Sequence, residues 1–146
     1  MTIYCDTSVI LARHIPEDNN AARARKLYAT YDGHDFLWCD LQDVEAPLTI
    51  RALTRRETDG LDESIARAGL HRLERALGRG FYQRRALPAE SVARAKSLSG
   101  AYGWQRKHTA FDVWHVAAAL VLGVNRFITF DDRQAALAEE AGLILG

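Results

Sequence analysis

Short apolar runs alternate along the chain with stretches whose apolar residues recur three or four apart. That alternation predicts strands separated by helices. Ile3-Tyr4-Cys5 is a β-type run ending at Asp6, and Thr7 to Ala12 reads as a helical turn. Asn19 or Asn20 is placed to cap a helix carrying Ala21, Ala22, Ala24, Leu27 and Tyr28, broken at Asp32-Gly33. Phe36 to Cys39 is a second strand, bounded by Asp35 and Asp40. Residues 41–56 read as a helix with Val44, Leu48 and Leu53 inward. Proline is tolerated in the first turn of a helix, so Pro47 places its start close to Asp43. A third helix runs from about Asp62 to Leu77, before Gly78 and Gly80, and Phe81-Tyr82-Gln83 is a short extended piece.

Pro88 precedes a helix over Glu90 to Leu98, and Gly100 and Gly103 open a loop containing Trp104. Thr109 to Leu122 is apolar on nearly every side and ends at Gly123, which implies a buried helix. Arg126 to Phe130 is a buried-type strand, Arg133 to Ala141 a helix stopped by Gly142, and Leu143 to Leu145 a last strand. Short strands alternating with helices indicate an α/β architecture with a mainly parallel sheet.

Length and composition narrow the class. A chain of 146 residues suits one domain, residues 1–146, with 48% hydrophobic and 26% charged residues. No apolar stretch approaches the roughly 18–20 residues of a membrane span, so no membrane role is expected. MTIYCDTSVI is short and lacks a basic start, so it reads as a strand and not a signal peptide. Cys5 and Cys39 lie in apolar runs without CxxC spacing, which favours core thiols in a reducing cytoplasm.

In a parallel sheet, ligands bind at the carboxyl ends of the strands. Asp6 ends the first strand and Asp131 ends the strand before it, while Asp112 opens the buried helix and Glu45 lies early in the helix after the second strand. Each has a structural explanation as well. Asp6, and Asp131 or Asp132, are placed to cap helices, Thr109-x-x-Asp112 is a capping box, and Glu45 suits a helix N-terminus. Their joint placement is what points to chemistry. Clustered carboxylates repel one another unless a cation offsets them. An all-oxygen set favours Mg²⁺ or Mn²⁺ over zinc, and such ions promote phosphodiester hydrolysis.

The ordered set Ile3-Tyr4-Cys5-Asp6-Thr7-Ser8, Val44-Glu45, Phe111-Asp112-Val113-Trp114-His115-Val116-Ala117-Ala118-Ala119-Leu120, Phe127-Ile128-Thr129-Phe130-Asp131 and Leu137-Ala138-x-x-Ala141-Gly142-Leu143 resembles the PIN-domain nuclease family, especially the VapC-like toxins of bacterial toxin–antitoxin pairs. The resemblance implies a three-layer α/β/α sandwich with a central mainly parallel sheet. It implies Mg²⁺- or Mn²⁺-dependent cleavage of structured RNA such as tRNA or rRNA, a small antitoxin partner and a homodimer. By that resemblance Asp6, Glu45, Asp112 and Asp131 are the catalytic, metal-holding acids, supported by Thr7, Ser8 and Thr129. Asp43 competes with Glu45 and Asp132 with Asp131, and residues 57–87 match no motif.

Other side chains carry two readings. His115 lies one turn after Asp112 and suits either a proton shuttle or a hydrogen-bonded core position. Trp104, Arg106 and Lys107 form a candidate RNA contact, whereas Trp114 suits a core or dimer position. A catalytically weak PIN-fold binding module is one alternative function. A phosphoacceptor domain is another, but it would want a late-strand lysine, and the lysines are Lys26, Lys96 and Lys107. A haloacid-dehalogenase-type site would want an acid where Ser8 stands.

The formal net charge of +0 conceals a segregation. Residues 1–50 balance to −4, residues 51–107 to +7 and residues 108–146 to −3. The candidate acids fall in the two acidic segments. The middle is rich in arginine, which suits either phosphate contacts or a solvated helical face with Glu/Arg pairs.

Overall fold

A computed structural model describes residues 1–146. Strand β1 (Thr2–Cys5) pairs in parallel with β2 (Asp35–Trp38) on one side and with β4 (Arg126–Ile128) on the other. Strand β3 (Tyr82–Arg84) joins the free edge of β2, giving the parallel order β3-β2-β1-β4. The chain thus leaves β1 to one side and returns on the other. That reversal is a topological switch point, where an open α/β sheet leaves a crevice at its strand ends.

Alternation along the strands builds two cores. Ile3, Cys5, Phe36, Trp38, Tyr82 and Ile128 face one layer, with Val9 and Ile10 of α1 (Thr7–His14), Tyr28 of α2 (Ala21–Thr30), Ile50 of α3 (Asp40–Ala52) and Leu73 of α4 (Glu63–Gly78). Tyr4, Leu37, Cys39 and Phe127 face the other, with Leu98 of α5 (Glu90–Tyr102), Val116 to Ala119 of α6 (Ala110–Leu122) and Leu137 of α7 (Asp132–Glu140). The fold is therefore the expected three-layer sandwich. Gly123, at φ 63, ends α6 in the left-handed conformation that glycine adopts without a Cβ penalty.

Helix α3 departs from the sequence reading in two ways. It begins at Asp40, so Pro47 lies in its interior. Val44 and Leu48 point outward at 60% and 59% exposure, and the buried positions are Leu41, Gln42, Ala46 and Ile50. The cause is Gln42, a polar residue that packs inward. Its amide donates to the Cys5 carbonyl at 2.8 Å and its oxygen accepts the Cys39 N–H at 2.7 Å. This clamp between β1 and the helix start sets the register and turns Val44 out.

Smaller differences follow the same logic of tertiary context. Helix α5 runs through Gly100 to Tyr102, because packing against α6 overrides the roughly 1 kcal/mol cost of a helical glycine. Asn20 precedes α2 without a side-chain capping bond. The segment Leu143 to Leu145 makes a single parallel bridge, Phe127 to Leu145, and is not a full strand.

A buried histidine in the first core gives a pH signature. Tyr82 Oη and His14 Nε2 share a hydrogen bond of 2.9 Å. Burial, aided by Arg13 and Arg72, depresses His14 to about 4. The lowered folded value means that the unfolded chain binds the proton more readily. Stability should therefore fall as pH drops from about 6.5 toward 4, with a limiting slope of about 1.4 kcal/mol per pH unit for one proton. Urea midpoints measured across that range should show the slope, and His14→Gln should flatten it.

Candidate active site

Each proposed acid is held where a short element begins. Asp6 follows β1 and caps α1, its Oδ1 accepting the Val9 N–H at 3.2 Å and the Ser8 hydroxyl at 2.7 Å. Its Oδ2 accepts the Thr129 hydroxyl at 3.0 Å. Asp131 follows β4 and caps α7, accepting the N–H groups of Arg133 at 2.8 Å and Gln134 at 3.2 Å. Asp112 completes the capping box at the start of α6, with its Oδ2 accepting the Thr109 N–H at 2.7 Å. The capping roles foreseen for these three acids are thus realised alongside their convergence. Capping is what fixes each carboxylate at the sheet's edge.

Asp6, Glu45, Asp112 and Asp131 line one cleft of about 280 Å³, with Thr7 and Ser8 on its wall. Glu45 enters it from the second turn of α3 and caps nothing. Thr129 lies beneath, buried, donating to Asp6 and accepting the Asp131 N–H at 3.0 Å. Ser8 does the equivalent from the other side, donating to Asp6 and accepting the Phe130 N–H at 3.1 Å. The two hydroxyls tie the ends of β1 and β4 together across the switch point.

The rival acids lie elsewhere. Asp43 accepts Trp38 Nε1–H at 2.7 Å and pairs with Arg84 at 2.8 Å, away from the cleft. Asp132 is exposed in the first turn of α7 and does not line the cleft.

Glu45 is positioned by a buried relay that the sequence did not disclose. Its Oε2 accepts hydrogen bonds from the Thr7 hydroxyl and from His115 Nε2. His115 Nδ1 lies 2.7 Å from Tyr4 Oη, which lies 3.5 Å from Cys39 Sγ. Burial, reinforced by Cys39, pushes the Tyr4 phenol well above its ordinary value, and burial pushes the Cys39 thiol up. Both groups therefore keep their protons, and the ionised Glu45 oxygen takes its hydrogen bond from His115 Nε2–H. The relay leaves Glu45 Oε1 to the cleft.

The carboxylates differ electrostatically. Burial raises Asp6 above the ordinary aspartate range, against the hydrogen bond from Ser8 and the weaker pulls of His115, the Val9 N–H and Thr129. For Glu45 burial also pushes upward, but the His115 hydrogen bond and charge and the Thr7 bond outweigh it, and the carboxyl falls below its usual range. Asp131 falls as well, because Arg133 and the two capping N–H groups outweigh its burial.

Two further charged residues line the cleft. Asp18 is a fifth carboxylate, and Arg56, just past the 3₁₀ turn Leu53–Arg55, is the only cationic lining residue. The run Arg51, Arg55, Arg56 at the end of α3 was the signal that could have singled out Arg56. Trp104, Arg106 and Lys107 lie outside the cleft lining. Trp104 is 96% exposed, and Arg106 pairs with Glu140 of α7 at 3.0 Å. Trp114 is half-buried, its Nε1–H reaching Ser91 at 3.3 Å, in keeping with a packing role.

Five carboxylates against one guanidinium make a donor set of hard oxygens with an excess of negative charge. That chemistry fits a hard divalent cation that keeps several waters. In this structure no three His, Cys, Asp or Glu side chains are grouped closely enough to hold a metal ion.

A parallel α/β sheet whose switch point is rimmed by carboxylates defines the class of protein. The PIN domain family model matches residues 3–140, and the chain belongs to that family. Solved structures agree on the fold. VapC20 of Mycobacterium tuberculosis, described as a sarcin-ricin loop cleaving toxin, superposes with a TM-score of 0.69 at 18% identity, covering 97% of this chain and 96% of that one. The Neisseria gonorrhoeae FitAcB structure gives 0.68 at 16% identity, covering 99% and 96%. VapBC2 of Rickettsia felis, bound to a DNA fragment from its promoter, gives 0.66 at 11% identity, covering 100% and 98%. No curated protein sequence matches the chain. No helix is long and apolar enough to cross a membrane.

Proposed function

We propose that this chain is a divalent-metal-dependent endoribonuclease, the toxin of a toxin–antitoxin pair acting on structured RNA in the cytoplasm. The observation that carries the reading is the meeting of Asp6, Glu45, Asp112 and Asp131 in one cleft at the switch point of a PIN fold. The similarity to VapC20, which cleaves the sarcin-ricin loop, supports RNA as substrate. Similarity to the toxin in VapBC and FitAB complexes supports a cognate antitoxin partner, and a homodimer is the expected assembly.

Asp6, Asp112, Asp131 and Glu45 are the residues that would hold Mg²⁺ or Mn²⁺. Such an ion polarises phosphoryl oxygens and lowers the pKa of water. The chain's own groups do the rest. Thr129 and Ser8 fix both oxygens of Asp6. Thr7 and His115 fix one oxygen of Glu45 and leave the other to orient water or an ion. Arg56 is placed to meet a phosphate with its planar fork and to offset charge that builds on it.

Stripping divalent ions with EDTA should abolish cutting of purified RNA, and added Mg²⁺ or Mn²⁺ should restore it at discrete, mappable positions. Cutting that survives chelation would contradict the metal assignment.

A further inference from the structure

A second charged hollow, of about 520 Å³, lies at the opposite end of α1 from the acidic cleft. Arg13 of α1, Arg72 and Arg75 of α4 and Arg79 just past its end line it, with Phe81 beside them. No carboxylate is among the lining residues. None of the four arginines forms a salt bridge, whereas Arg67 on the same helix pairs with Glu63 at 2.5 Å. The adjoining hollow shares Arg13 and Phe81 and adds Arg25, with Asp32 as its one carboxylate.

Two of the four guanidiniums are held in place. Arg72 Nε donates to the His14 carbonyl at 2.6 Å, and Arg13 lies over the rings of Tyr28 and Phe81 at 5.3 and 5.8 Å. After burial, the charges of Arg13 and Arg72 also help depress His14. Four like charges around a hollow repel unless an anion offsets them. Guanidinium forks match phosphate oxygens.

We infer that this Arg13/Arg72/Arg75/Arg79 hollow is a phosphodiester-binding exosite that grips the RNA at a distance from the cut. The inference rests on the ribonuclease reading and deepens it. Helix α1 has 8 residues, so the exosite lies about 12 Å from the Asp6 end along its axis. A polyanion can span that distance. Arg51, Arg55 and Arg67 line a further hollow toward the start of α4, where Glu63 pairs with Arg67, and Arg56 then enters the cleft itself. This run of arginines favours an extended nucleic acid over a local acidic peptide.

The test uses the full chain carrying Asp6→Asn, which leaves the RNA uncut. Binding of a fluorescent hairpin RNA is measured by anisotropy over a salt series. Arg75→Gln with Arg79→Gln should weaken binding by about tenfold and lower the slope of log K against log[salt] by about 1.4–1.8, for two lost contacts. Arg94→Gln with Arg126→Gln removes the same charge elsewhere and should have little effect. Unchanged affinity and slope in the first pair, while the wild-type chain still cuts RNA, would overturn the exosite alone. Equal weakening by both pairs would overturn it too, as a net-charge effect. Loss of binding to poly-glutamate without loss of RNA binding would assign the hollow to an acidic partner instead. A wild-type chain that neither binds nor cuts RNA would overturn the ribonuclease reading with it.

Discussion

Asp6→Asn should abolish RNA cleavage, by about two to three orders of magnitude, and raise the melting temperature at neutral pH. The asparagine is isosteric, and its oxygen can still accept from Val9 N–H and Ser8. Its amide can donate to Thr129 in place of the bond that Asp6 accepts. What disappears is a buried charge. Asp6 is raised above its ordinary value by burial, so its ionised form is penalised in the folded state. That penalty is present above the folded pKa and absent below the unfolded one. The variant's advantage should therefore grow as pH rises through the aspartate range and vanish in acid, when melts are recorded in EDTA. Each kcal/mol relieved corresponds to about 2–4 °C for a chain of this size. A variant that loses both activity and stability at neutral pH would show that Asp6 is retained for folding. Activity bought with stability is the pattern expected of a catalytic carboxylate.

His115→Ala should cut the turnover rate by about 10- to 100-fold and also destabilise the fold. The ring touches Glu45 and Tyr4 and acts as a positioning residue for the carboxylate. Removing it leaves the Glu45 oxygen with Thr7 alone and the buried Tyr4 hydroxyl with only Cys39. A buried polar group deprived of its partner costs about 1–3 kcal/mol. Two readouts separate positioning from mere packing. The first is the Glu45 carboxyl, followed by NMR, which should rise toward its ordinary value once His115 no longer holds it down. The second is Tyr4→Phe, which keeps the ring volume and removes the hydroxyl beside His115 Nδ1. It should lower kcat with little change in KM. A His115→Ala protein that turns over normally would remove the relay from the catalytic account.

Much of this architecture was legible in the sequence because burial and periodicity agree for most elements. Ile3, Cys5, Phe36 and Phe127 read as strand residues and are strand residues. Three acids were legible because a strand end or helix start announces them: Asp6, Asp112 and Asp131. Helix α3 was misread because Gln42, not Val44, occupies the buried stripe, and only the Cys5 carbonyl across the sheet explains a polar residue there. The relay to Glu45 was illegible for the same reason. Thr7 is 38 residues and His115 70 residues from Glu45, distances that no local pattern spans. Asp18 and Arg56 join the cleft from loops, where side-chain spacing carries no period. The basic middle segment showed its charge in the sequence, but only the fold gathers Arg72, Arg75 and Arg79 with Arg13.

The central claim is that the four converging carboxylates perform the cleavage. Its most direct test is single-turnover cutting of one defined structured RNA by the wild-type chain and by Asp6→Asn, Glu45→Gln, Asp112→Asn and Asp131→Asn, each confirmed folded. With Mg²⁺ or Mn²⁺ present, the wild-type chain should cut at discrete sites and all four variants should lose most of that rate. Metal-dependent cutting that persists undiminished in Asp6→Asn and Asp112→Asn would contradict the account.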